Sequence, residues 1–197
     1  YSDNNATLIL IFISSEFFLL SQIFPSLVYY ASMIPVYIHF RHWYWQFVTY
    51  MFAHASFWHL LSNMIALYIF GRVVEKNVGT KEFLLFYFLT GVLSGVASYF
   101  TYFYTGRPYA LILGASGAIY ALMLLFALLF PTAIVYVFGL IPIRAPLLVL
   151  IYFFIDFFGQ FASDGMAHFV HLYGLLFALL YVTIRMRINP LKRWSII

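Results

Sequence analysis

The chain is a succession of apolar runs separated by short polar breaks, and several runs reach the roughly 20 residues a helix needs to cross a bilayer. Nothing else in the sequence narrows the fold as much. The hydrocarbon layer offers no water to backbone N–H and C=O groups, so a spanning segment must be a helix or part of a closed barrel. Runs of this length and continuity read as helices. Composition supports the same solvent. Hydrophobic residues make up 65% of the 197 and charged residues only 8%, against about a quarter charged in a soluble domain. The whole of 1–197 is expected to form a single transmembrane domain.

Span one is placed at about 6–24, closed by Pro25, with the acid Glu16 inside it, a costly position unless it faces protein or water. The segment Pro25–Ala55 is crowded with Tyr29, Tyr30, Tyr37, Trp43, Tyr44 and Trp45 and carries His39, Arg41 and His42. It is too polar to cross and is read as a long loop in the headgroup region. Further spans are expected at about 56–71, 80–104, 114–131, 146–161 and 165–186. Thr132–Ile143 is short and rich in β-branched residues, and is read as a connector with a re-entrant strand. The first apolar run is long enough to be a span, so no separate signal peptide is expected.

With six spans, one side of the membrane holds Arg72, Lys76, Lys81, Arg144, Arg185, Arg187, Lys192 and Arg193, and the other only Arg41 and Arg107. This asymmetry places both termini in the cytoplasm. The net charge of +4 is spread over the ends of apolar runs rather than gathered on one soluble face, which argues against a nucleic-acid partner. Absence of cysteine removes thiol nucleophiles and Cys-based metal sites. Small residues recur four apart at Gly91 and Gly95, Gly117 and Ala121, and Gly174 and Ala178, a spacing that lets helices approach closely in lipid.

Three polar groups could carry chemistry. Ser116, within Gly114-Ala115-Ser116-Gly117, opens span four, where free N–H groups and the helix dipole favour negative charge. That placement suits a nucleophile whose intermediate is an oxyanion, although a serine among small residues also serves as a cap or packing residue. His59 and Asn63, four apart, share one face of span two; they either donate to an oxyanion or form a structural polar pair. His171 and Gly174, three apart, share a face of span six, and an imidazole brought beside Ser116 could act as its general base. Four histidines in two pairs (His54 and His59, His168 and His171) could form a zinc site. A zinc protease of the HExxH type would need Glu after the first His, however, and Phe169 follows His168. No metal or other cofactor is expected. The acids near span six are Asp156 and Asp164, and neither is expected to complete a triad.

The order of these motifs carries more than any of them alone. Trp45-Gln46 through His54 is followed by His59-xxx-Asn63, Gly71, Glu75-xxx-Gly79, Gly114-Ala-Ser116-Gly117 and His171-Leu-Tyr-Gly174. This pattern resembles the rhomboid family of intramembrane serine proteases over nearly the whole chain. The resemblance implies an all-α membrane protein, a six-transmembrane-helix rhomboid-like bundle with a long interfacial first loop. It implies a Ser116–His171 dyad, an oxyanion hole of His59, Asn63 and the Ser116 N–H, and Gly114 and Gly117 as motif glycines. Tyr120 would stack on the catalytic imidazole, Gly174 would allow close packing below it, and His54 would hold the first loop to span two. The implied substrates are transmembrane segments of other proteins in the lipid bilayer, with span five a candidate gate. A prokaryotic plasma membrane is expected, with the site opening on the non-cytoplasmic side. One departure is Gln46, where family members usually carry arginine, which puts anchoring of the first loop in question. Other readings are a rhomboid-like protein that binds membrane helices without cutting them, and a small transporter, although no internal repeat of the transporter kind is found.

Overall fold

The computed structural model describes residues 5–137, 139–161 and 167–194. Among these residues, three helices are long and apolar enough to cross a membrane: α1 (Ala6–Ile23), the continuous helix Phe57–Val78, and α7 (Thr80–Tyr104). Within Phe57–Val78, α5 (Phe57–Ala66) passes through a π-helical stretch, Leu67–Gly71, into α6 (Arg72–Val78). Three shorter apolar helices follow: α8 (Ser116–Leu129), α9 (Ala145–Gly159) and α10 (His168–Ile184). A short polar helix, α11 (Pro190–Trp194), ends the described chain.

At the centre stands α8, buried at eleven of its residues, Gly117 to Leu128 with Tyr120 half-buried. A helix apolar all round belongs inside a bundle. Around it pack α7, α9, α10 and the π-helical stretch. The outer faces of α1 and α9 expose Phe12, Leu19, Ile23, Phe154, Ile155 and Phe158, side chains that lipid would cover.

Two boundaries differ from the sequence expectation for a reason that can be named. The helix begun at Phe57 does not stop at Gly71, because Gly71 keeps helical φ/ψ and serves packing: a Cβ there would lie 3.1 Å from Thr7 Cγ2. It stops at Gly79, whose φ of +86 and ψ of 154 form an extended, positive-φ conformation that glycine adopts freely and a helix cannot continue through. The connector at 132–143 is an antiparallel hairpin, β1 (Ile134–Val137) with β2 (Ile141–Arg144), and most of its residues are exposed or half-exposed. Asp164, and Gly165 at the expected start of span six, lie outside the described residues.

Glu75 ties α1 to α6. Its carboxylate accepts the N–H groups of Ala6 and Thr7 (both 2.9 Å) and the hydroxyls of Thr7 (2.7 Å) and Thr80 (2.9 Å). A buried anion is thus satisfied by the unpaired N–H groups that every helix start presents. Glu16, by contrast, lies on an exposed face of α1 and not against the rest of the chain.

The first loop is not a simple strand of coil. It holds α2 (Ser26–Ala31), α3 (Pro35–Arg41) and α4 (Gln46–Thr49). Gln46 is fully buried; its Oε1 accepts the Ile34 N–H (3.0 Å) and its Nε2 donates to the Tyr30 carbonyl (3.3 Å). The loop is therefore anchored by this neutral amide. Arg41 lies instead over the rings of Tyr37 and Trp43, 4.7 and 5.6 Å from their centroids.

Candidate functional site

The loop anchors matter because they hold the segment that delivers Ser116. Residues 105–115 are irregular, so their backbone finds its partners outside a helix. The first loop supplies them: Met33 and Ile112 exchange both backbone bonds (2.8 and 3.0 Å), and the Val36 N–H reaches the Pro108 carbonyl (2.8 Å). The Gly114 N–H donates to the Tyr50 carbonyl (2.9 Å). Gly114 then turns with φ +119, where a side chain would be strained, and Ser116 becomes the first residue of α8. The N–H groups of that first turn have no acceptor within the helix.

The packing of α10 on α8 sets the other half. A Cβ on Gly174 would lie 2.1 Å from the Gly117 carbonyl oxygen, and one on Gly117 would lie 2.7 Å from Val170 Cγ1. Only two glycines let these backbones meet so closely. One turn above Gly174, His171 Nε2 comes 2.7 Å from Ser116 Oγ. The Tyr120 ring stacks on the imidazole, centroids 4.3 Å apart and planes within 14°.

His171 Nδ1 lies 2.8 Å from Asp156 Oδ1, and His168 Nδ1 lies 2.7 Å from the same oxygen. An ionised carboxylate only accepts, so both Nδ1 atoms carry protons and His171 Nε2 is left to accept from the Ser116 hydroxyl. The sequence reading expected no acid to serve His171; in the structure the Asp156 carboxylate lies beside its Nδ1. Asp156 comes from α9, fifteen residues before His171, and no helical period links the two. Spacing within one helix could not have found it. The inward face of α9 could have been suspected, since Asp156 follows Leu148, Val149 and Tyr152 at helical intervals.

His59 and Asn63 come from α5, and His59 approaches the turn before Ser116. His59 Nδ1 accepts the Ala55 N–H (3.4 Å), which puts the ring proton on Nε2. That Nε2 faces Gly114, 2.8 Å from where a Cβ would sit. Asn63 is buried; one Nδ2 hydrogen goes back to the His59 carbonyl (2.8 Å), and Oδ1 has no hydrogen-bond partner. His54 is not in this group. It donates from Nδ1 to the Phe52 carbonyl (3.1 Å), and its ring lies edge-on to His59 at 5.1 Å. Burial, and then the neighbouring His59, push its pKa down to about 4.

Asp156, His168 and His171 bring one ligand atom each within 4.8 Å of one another, a grouping that could hold a metal ion. Their Nδ1–Oδ1 distances of 2.7 and 2.8 Å are those of charge-assisted hydrogen bonds. Ligands around a tetrahedral zinc stand about 3.3 Å apart at the usual bond lengths. The geometry is that of a proton-bridged network, and His54 and His59 do not join it.

Comparison with known proteins places these features in a family. Residues 41–188 match the family model described as the Rhomboid domain. The chain is 41% identical to Rhomboid-like protein 11, chloroplastic, of Arabidopsis thaliana over 87 residues, covering 44% of this chain and 29% of that protein. Putative rhomboid protease YdcA of Bacillus subtilis (strain 168) is 35% identical over 89 residues, 44% of this chain and 42% of that one. Rhomboid protease GlpG of Salmonella newport (strain SL254) is 32% identical over 79 residues, 40% and 26% respectively. The matched stretch thus spans less than half the length of each of these relatives. The family model covers most of the chain, from the end of α3 to just past α10, and on that extent the chain belongs to the rhomboid family of integral membrane proteins.

Proposed function

We propose that this protein is an intramembrane serine endopeptidase that cuts transmembrane segments of other membrane proteins. The observation that carries the proposal is the 2.7 Å contact between Ser116 Oγ and His171 Nε2 at the N-terminus of a buried helix. In this reading His171 takes the Ser116 proton as Oγ attacks a peptide carbonyl. The oxyanion forms against the Ser116 N–H, His59 Nε2–H and the remaining Asn63 Nδ2–H. His171 then protonates the leaving amine, and water releases the acyl group. Gly114, Gly117 and Gly174 allow the close approaches this needs, Tyr120 fixes the ring, and His54 has a structural role. The chemistry needs no cofactor.

The substrate helix must unwind before its carbonyls can be attacked, because helical backbone is already paired. The proposed fold has six spans, α1, Phe57–Val78, α7, α8, α9 and α10, with both ends of the chain on one side. The start of α8 and hence Ser116 then lie towards the other side. The relatives named above include a chloroplastic as well as bacterial proteins, so they lend no support to a prokaryotic membrane in particular.

A helix-binding protein without activity is the second reading, favoured by a relative named only as rhomboid-like. Cleavage of a fluorescent transmembrane substrate in liposomes separates the two. The native chain is expected to cut, and Ser116→Ala and His171→Ala are expected to lose activity by about 10³-fold or more. Equal cutting by the variants would refute the assignment. A native chain that neither cuts nor reacts at Ser116 with a fluorophosphonate would favour the binding protein.

A further inference from the structure

We propose that Asp156 is the positioning residue of this site and that His168 fixes its carboxylate, so that the pair becomes a triad of Ser116, His171 and Asp156 contributed by three helices. The proposal rests on the protease reading above and extends it.

Asp156 is fully buried on a helix whose other residues are apolar apart from Tyr152. An anion in such a place is retained only where several donors meet it. Here His168 Nδ1–H and His171 Nδ1–H converge on Oδ1, and the Tyr120 hydroxyl also approaches the carboxylate. A clamp joining α9 to α10 would need only one of these bonds. Two donors on one oxygen fix the rotamer of the carboxylate and aim it at His171. The His168 ring is itself seated by Gly159, where a Cβ would lie 2.5 Å from His168 Cε1. Glycine at 159 is therefore part of the same construction.

Among the described residues, Ser116 and Tyr120 from α8, Asp156 from α9 and His59 from α5 bear on His171; Tyr152 packs on Tyr120, and His168 shares the Asp156 oxygen. Of these, Asp156 alone brings negative charge. As the Ser116 Oγ–C bond forms, the hydroxyl proton passes to His171 Nε2 and the carbonyl electron pair moves to the oxyanion. The imidazolium keeps its Nδ1–H on Asp156, which stays ionised throughout. When the intermediate collapses, the Nε2 proton leaves with the amine and the imidazole is neutral again. Asp156 thus holds the productive tautomer before the step and balances the positive ring during it.

The test compares the native chain with Asp156→Asn, Asp156→Glu and Ser116→Ala on one transmembrane substrate, with active enzyme counted by endpoint fluorophosphonate labelling. For Asp156→Asn the kcat per labelled site should fall by about 10²-fold or more with little change in KM. Asp156→Glu should recover part of the rate. A clamp without a positioning role would lower the labelled fraction and leave kcat per site in place, and that result overturns the proposal. Should Asp156→Asn not fold, ¹⁵N resonances of His171 in the native chain decide: protonated Nδ1 with free Nε2 at neutral pH supports it, and the opposite tautomer overturns it. Ser116→Ala cutting at the native rate would instead defeat the protease reading itself.

Discussion

At the scale of single residues, the chain keeps several polar groups buried and gives each a stated reason. His54 is the one whose titration lies outside the apolar helices. Its folded pKa is pushed down to about 4 by burial, against 6.5 when free. The unfolded chain therefore binds the extra proton first as pH falls. The stability His54 contributes is fully present above pH 6.5 and is lost as pH drops through the range to about 4. The expected slope is about 1.4 kcal/mol per pH unit within that window. Thermal unfolding in detergent across pH 4–7 should show it, and His54→Gln should flatten it. An unchanged slope in that variant would assign the pH dependence elsewhere. Gln46 makes a different point about side chains. A neutral amide that both accepts and donates can tie Ile34 to Tyr30, which a guanidinium, donating only, would have to do through other atoms.

At the scale of elements, the decisive contact is between α8 and α10, where Gly117 and Gly174 bring two backbones together. Ala at 174 would meet backbone rather than a flexible side chain, so the helices themselves must part. A separation of even 1 Å between reacting groups can cost about 10²-fold in rate. Gly174→Ala is therefore expected to lose about 10²-fold in kcat while still inserting and folding as a helix bundle. Kinetics on purified protein, with circular dichroism alongside, checks both halves. Near-native activity would mean that the Ser116–His171 distance does not depend on this approach. α9 stands apart from that pair. It carries Asp156 but neither Ser116 nor His171, so any displacement of α9 takes the carboxylate away from the imidazole.

At the scale of the whole molecule, the argument concerns orientation in the bilayer. The basic residues divide so unevenly between the two ends of the proposed bundle that both termini are expected on one side. The chain contains no cysteine, so single cysteines can be introduced one at a time without background. In sealed vesicles Lys76→Cys should be protected from, and Arg107→Cys open to, a membrane-impermeant maleimide, or the reverse, according to how the vesicles are sided. Labelling of both from the same side would refute the six-span arrangement. Orientation also bears on water, which the proposed hydrolysis consumes. Ser116 and His59 are only half-buried, at the end of the bundle where the first loop and residues 105–115 meet.

Much of this was legible in the residues because it depends on local rules. Continuous hydrophobicity fixed helix after helix, since lipid allows the backbone few other solutions. Ser116, His59, Asn63 and His171 stood out because polar groups inside apolar runs are costly and few. Gly71 misled as a helix end because glycine also marks close packing, and sequence does not tell a positive φ at Gly79 from a crowded Thr7 contact at Gly71. Tertiary structure alone decided what Gln46 holds, how the 134–144 hairpin pairs, and that Asp156 meets two imidazoles. Each of these joins residues on different elements. No periodicity along the chain reports such a meeting; it depends on how the helices settle against one another once α8 is buried among them.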